Sequence, residues 1–245
     1  MQRQIKLKIE YDGTNYHGWQ SQVNAITIQS VIEKAIKSAT GQDVKIFGAG
    51  RTDAGVHALG QMASFFTDST IPDDKFSYAV NSYLPSDIVI VNSCGVSDDF
   101  HPIRSSKGKK YTYIIYNSDF RRPVLRKRAW HVKDSLDLDK MQKAAVFFKG
   151  EHDFSAFMTS GSSVKTTVRT IYDLSLRKID KKIYIDIYGN GFLYNMVRII
   201  AGTLVDVGLL QKQIADIPKI IKECDRGKAG KTAPAHGLYM VEVLY

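Results

Sequence analysis

The chain of 245 residues is poor in several things at once. It has two cysteines, six prolines, no apolar run near the ~18 residues that a membrane span requires, and fewer acids than bases. Cys94 and Cys224 have no metal-type spacing and are too few for a disulfide framework, so they read as free thiols of a cytosolic protein. Scarce proline and only 18 glycines argue against low complexity. The first residues lack the apolar stretch of a signal peptide, so a soluble, cytoplasmic protein with no membrane partner is expected. His17, His57, His101, His131, His152 and His236 never pair at i and i+4 or approach a cysteine in ligand spacing, so no metal site is expected. No Gly-Lys-Ser/Thr phosphate loop, dinucleotide fingerprint or serine elbow occurs, and cofactor-free chemistry is the expectation.

What is present begins with bulk and charge. A hydrophobic fraction of 44%, with 11 Phe and 13 Tyr, is enough for one large or two smaller cores. Lys and Arg number 34 against 25 acids, a surplus of nine that suits either solubility or a polyanionic partner. Between Arg104 and His131 stand nine Lys or Arg (Arg104, Lys107, Lys109, Lys110, Arg121, Arg122, Arg126, Lys127, Arg128) against one acid, Asp119. Tyr111, Tyr113, Tyr116, Phe120 and Trp130 are interleaved among them. This mixture fits a phosphate-tracking surface with stacking aromatics, and equally a solvated strand pair with a basic outer face.

Periodicity predicts an α+β class: two α/β lobes with mainly antiparallel sheets flanked by helices, residues 1–103 and 104–245. Strands are expected at residues 5–11, 44–47, 61–67, 88–91, 109–116, 167–177, 183–188 and 238–244. Helices are expected at 27–40, 74–83, along the stripe of Leu138, Met141, Ala145 and Phe148, at 192–207 and from 216 to about 227.

The most informative run is GAGRTDAGVHA, Gly48 to Ala58. Gly48, Gly50 and Gly55 allow close approach of another backbone or a ligand and leave Asp53 projecting from a tight loop, as a nucleophile or base would be. An Asp bonding its own turn beside a surface Arg51 is the plainer alternative. A carboxylate working in a covered pocket requires a nearby cation to stay ionised. Arg198 is the candidate, on the helix side that carries Ala201 and Gly202, away from the stripe of Leu193, Met196, Val197, Ile200 and Leu204; a snorkelling surface arginine is the alternative.

Six blocks in order carry a resemblance to the bacterial tRNA pseudouridine synthase A family. They are Tyr11-Asp12-Gly13 with Tyr16, Gly18-Trp19-Gln20 and Gln22; Gly48 to Ala58; Asp99-Phe100-His101 followed by Lys109 to Tyr113; His152-Asp153-Phe154 with Phe157; Phe192 to Arg198; and Ala229 to Tyr239. The resemblance implies a tRNA-binding homodimer with a cleft between its two lobes, isomerising uridine at positions 38 to 40 of the anticodon arm without a cofactor. It implies Asp53 as nucleophile, Arg198 as its ion-pair partner, and Tyr111 as the residue that packs on the base and helps remove its proton. Arg51 would hold the base out of the stack, and His57, Lys109, Lys110 and Arg104 join it as RNA or substrate contacts. Two positions depart from the family: Ile103 stands where an arginine is common, with Arg104 one residue later, and Ile199 replaces a frequent Asn. On a strand the first shift would reverse the side chain's face. A catalytically silent tRNA binder and an RNA glycosidase remain the rival readings.

Overall fold

Strict alternation of apolar and charged residues makes the first strand half-buried. In β1 (Arg3–Tyr11) Ile5, Leu7, Ile9 and Tyr11 are buried while Lys8 and Glu10 face out. The computed structural model describes residues 2–161 and 164–245. It divides into two units, Met1–Lys107 with Tyr239–Tyr245, and Gly108–Leu238. The sequence boundary was expected at 103/104 with the last strand in the second lobe. That strand instead belongs to the first unit, a long-range pairing that local periodicity does not carry.

In the first unit β1 is followed by α1 (Ile28–Thr40), β2 (Phe47–Gly48), β3 (His57–Thr67), α2 (Phe76–Asn81) and β4 (Ile88–Val96). β1 lies antiparallel between β3 and β4, and β2 pairs antiparallel with β3. The chain's last strand, β10 (Leu238–Leu244), runs parallel to β3, with Tyr239 opposite His57 and Met240 opposite Ala58. Thr27 caps α1 in a reciprocal box with Ser30, and Gly41 at φ 75° ends it. Ile28, Ile32, Ala35 and Ile36 form its buried face, and Phe76 of α2 meets Phe65 edge-on. The strand expected at 44–47 shrinks to the two residues of β2. The helix expected at 74–83 is a 3-10 turn, Asp73–Lys75, followed by α2.

The second unit contains β5 (Gly108–Asn117), β6 (Trp130–Val132), α3 (Leu138–Ala145), β7 (Gly150–Asp153), β8 (Val168–Ile179), β9 (Lys182–Gly189), α4 (Met196–Gly208) and α5 (Asp216–Glu223). Its sheet runs β5-β9-β8-β7 in antiparallel order, with β6 parallel to β5. Tyr111, Tyr113 and Ile115 of β5 and Ile183, Ile185 and Ile187 of β9 face its core. The helix expected from Phe192 starts at Met196, because Asn195 adopts a left-handed φ of 63° that no regular helix accommodates. The mixed α and β class with mainly antiparallel pairing is thus the one the chain adopts, and among the described residues no helix is long and apolar enough to cross a membrane.

Candidate active site

The loop between β2 and β3 is fixed from below, residue by residue. Ala49 N donates to Met62 O at 2.7 Å, and Gln61 Nε2 donates to Gly50 O at 2.8 Å. Thr52 is held twice: its carbonyl accepts from Trp19 N at 3.0 Å, and its hydroxyl meets the Tyr11 hydroxyl at 2.7 Å. Burial pushes the Tyr11 phenol upward, so it stays protonated in this contact. After Asp53, Val56 N returns to Asp53 O at 3.1 Å and Gly55 N donates to Tyr16 O at 3.3 Å.

Glycines elsewhere in the chain make room for this packing. A Cβ on Gly18 would lie 2.4 Å from Thr52 O, and one on Gly13 would lie 1.9 Å from Val56 O. Thr52 is buried, Asp53 is half-buried and Arg51 is exposed, so a single acid emerges from an otherwise clamped segment. Arg51 Nε donates to Gln20 Oε1 at 3.1 Å, and Gln20 in turn donates to Gln29 of α1 at 2.9 Å.

His57 has a different place from the one expected. Its ring is 2% exposed, stacked on Tyr239 at 4.7 Å, with Nδ1 3.2 Å from Gly13 N and 3.0 Å from Asp12 Oδ1. Its burial and these partners place it at the base of the loop, where it braces Asp12 and Gly13. Arg104 is exposed, in a turn where His101 Nδ1 accepts from Ile103 N at 3.1 Å and Arg104 N at 3.3 Å. The expected reversal of face assumed a strand here, and the turn removes that argument.

In the second unit Tyr111 is 8% exposed on β5, opposite Ile187, with Phe192 edge-on at 5.2 Å. Lys109 and Lys110 precede it on opposite faces of the strand. The Lys110 ammonium lies 5.8 Å from the Tyr188 ring, whereas Lys109 is lowered to about 8 by burial and by the like charge of Arg169.

Arg198, on the first turn of α4, is half-buried. Its Nε donates to Ala233 O at 2.8 Å and its Nη1 to Asn195 Oδ1 at 2.6 Å. Ala233 N returns to Arg198 O at 3.1 Å, and a Cβ on Gly202 would lie 1.9 Å from Lys231 O. The small residues beside Arg198 are therefore contact points for the segment 229–235. The same segment's Pro234 O accepts from the Tyr113 hydroxyl at 2.8 Å, and burial pushes that phenol upward. Ile199 is fully buried, so the departure at this position is a core side chain.

Asp53 and Arg51 thus share one loop of the first unit, His57 opens β3 directly after it, and Arg104 lies in a separate turn of the same unit. Tyr111, Lys109, Lys110 and Arg198 belong to the second unit. Sequence reasoning missed Gln61, which lies outside the blocks carrying the resemblance, and the bracing roles of Tyr11, Trp19 and Thr52, whose only signal was their place in those blocks. Among the described residues no group of three or more His, Cys, Asp or Glu could hold a metal ion.

A family model described as tRNA pseudouridine synthase matches residues 8–103 and 144–245, leaving unmatched the basic stretch that holds Tyr111. Full-length relatives cover that stretch too. A protein named tRNA pseudouridine synthase A from Acetivibrio thermocellus is 58% identical over 243 residues, 99% of this chain and 100% of that one. One of the same name from Ruminiclostridium cellulolyticum is 57% identical over 244 residues, again 99% and 100% of the two chains. A tRNA pseudouridine synthase A 2 from Clostridium tetani is 51% identical over 247 residues, covering 100% of both. With its matches running through both units, the chain belongs to the tRNA pseudouridine synthase family and is an enzyme of that activity.

Proposed function

We propose that the chain converts uridine to pseudouridine at positions 38 to 40 of the tRNA anticodon arm, with Asp53 as nucleophile. The observation that carries the reading is the half-buried carboxylate rising from a loop whose neighbours on both sides are hydrogen-bonded in place. Holding a reacting group in one geometry is the largest contribution such a loop can make to an isomerisation inside one pocket. The reaction balances within the substrate: the N1–C1′ bond breaks, a C5–C1′ bond forms, the C5 proton leaves and N1 gains one. No electron acceptor is required.

Arg198 takes the part of the cation that keeps the carboxylate ionised. Its anchoring by Ala233 and Asn195 supports this reading, because a guanidinium fixed by such bonds does not reorganise as charge shifts. Tyr111 would pack on the base and help remove the C5 proton. Arg51 would hold the base outside the stack, offsetting an unstacking cost of a few kcal/mol. Lys109, Lys110 and Arg104 are assigned to the RNA backbone, and a cytoplasmic homodimer follows the family resemblance.

The test is an unmodified tRNA transcript incubated with purified protein, followed by pseudouridine mapping. Pseudouridine within positions 38 to 40, and loss of turnover by several orders of magnitude in Asp53→Asn, are expected. Full activity of Asp53→Asn overturns the nucleophile assignment. An abasic product identifies a glycosidase, and tRNA binding without release of tritium from C5 identifies a silent binder.

A further inference from the structure

The loop that presents Asp53 is joined to the first strand through a small polar network inside an apolar core. Tyr11, Thr52 and Gln61 are 3%, 7% and 0% exposed. The Tyr11 hydroxyl meets the Thr52 hydroxyl at 2.7 Å, the Gln61 side chain also hydrogen-bonds Tyr11, and Gln61 Nε2 holds Gly50 O at 2.8 Å. Buried polar groups cost stability unless all their bonds are made, so a core built for stability alone would use Phe and Val here. These bonds fall on the two residues that flank Arg51, and Thr52 directly precedes Asp53. The Tyr11 ring is itself set by Trp19, 6.2 Å away, whose main-chain N–H takes the Thr52 carbonyl at 3.0 Å.

We propose that Tyr11 and Thr52 are positioning residues for the reaction: their paired hydroxyls fix the register of the loop so that the Asp53 carboxylate is presented in one orientation. The proposal rests on the reading of Asp53 as nucleophile. In this proposal Tyr11 acts through its hydroxyl contact with Thr52, the residue next to Asp53. A shift of about 1 Å in a reacting group lowers turnover by about 100-fold, whereas binding of the RNA backbone elsewhere is unaffected by so small a change.

The experiment compares Tyr11→Phe, Thr52→Val, Thr52→Ser and the double variant Tyr11→Phe/Thr52→Val in kcat, KM for tRNA, melting temperature and amide hydrogen exchange over residues 50–56. Tyr11→Phe and Thr52→Val are expected to lower kcat by about 10- to 100-fold at unchanged KM. Thr52→Ser, which keeps the hydroxyl, recovers most of the turnover. In the double variant the two hydroxyls that pair with each other are both gone and Gln61 keeps Gly50 O and Met62 N as partners, so the melting temperature returns part of the way toward wild type while kcat stays low and residues 50–56 exchange faster. If kcat follows melting temperature through the series, or Tyr11→Phe keeps full turnover, the proposal is overturned. Should the wild type make no pseudouridine, the assigned reaction fails; hydrogen exchange then still decides, since unaltered protection of residues 50–56 in the double variant overturns the claim that the Tyr11 and Thr52 hydroxyls fix the loop.

Discussion

Lys109 shows what burial does to a residue chosen for its charge. Its neighbour Lys110 spreads over the Tyr188 ring, but Lys109 is lowered to about 8 by desolvation and by Arg169, against an ordinary ~10.4. Below pH 8 it is protonated in both the folded and the unfolded chain, and the fold bears the full cost of a partly desolvated cation. Between pH 8 and about 10.4 the unfolded chain keeps a proton that the folded chain has released, so stability rises with pH across that window. Lys109→Met, which keeps the apolar stem, is therefore expected to melt above wild type at pH 7, with the difference closing by about pH 10.5. Equal melting temperatures at pH 7 would contradict it. At this scale the sequence was legible where residue type and local spacing suffice, as for Asp53 among its glycines. It was illegible for His57, whose burial is made by Tyr239 on a strand from the far end of the chain.

The elements were legible in kind and less so in extent. Alternation located β1 and β9 because each has one apolar face, and capping chemistry located α1 at Thr27 and Gly41. The start of α4 was missed because the apolar pattern continues through Phe192 and Leu193, while the break is a single backbone angle at Asn195. That break places the Asn195 side chain to accept from Arg198. Nor did the helical pattern show that the side of α4 opposite its apolar stripe is covered, since the cover is the extended segment 229–235, which has no periodicity. Gly202 tests this packing. Its missing Cβ would lie 1.9 Å from Lys231 O, a backbone atom that cannot rotate away. Gly202→Ala is expected to lower stability by about 1–3 kcal/mol in urea unfolding, as overpacking does. It should also lower turnover more than tRNA affinity, because pushing this segment outward carries Ala233 O away from Arg198. A variant as stable and as active as wild type would show that segment and helix are not coupled.

For the whole molecule, eight of the nine surplus positive charges lie between Arg104 and His131, and that stretch runs across the boundary between the two units. Arg104 and Lys107 fall in the first unit, and the remaining bases of the stretch fall in the second, so the stretch is no single continuous element. Among the latter, Lys109 and Lys110 are half-buried on β5, whereas Arg121, Arg122, Arg126, Lys127 and Arg128 are exposed in the connection from β5 to β6. Phe120 and Val124 in that connection are 81% and 83% exposed, a cost in apolar surface that a folded core would avoid. The solvated-strand alternative therefore does not describe these five bases, which lie on an irregular connection and not on a strand face. If they meet RNA phosphates, each contact releases counterions and adds about 0.7 to 0.9 to the slope of log affinity against log salt. Replacing Arg126, Lys127 and Arg128 together with Ala is then expected to reduce that slope by about 2 and to weaken tRNA binding at low salt far more than at high salt. Filter binding of unmodified tRNA from 50 to 300 mM KCl measures it, and an unchanged slope would assign these charges to solubility alone.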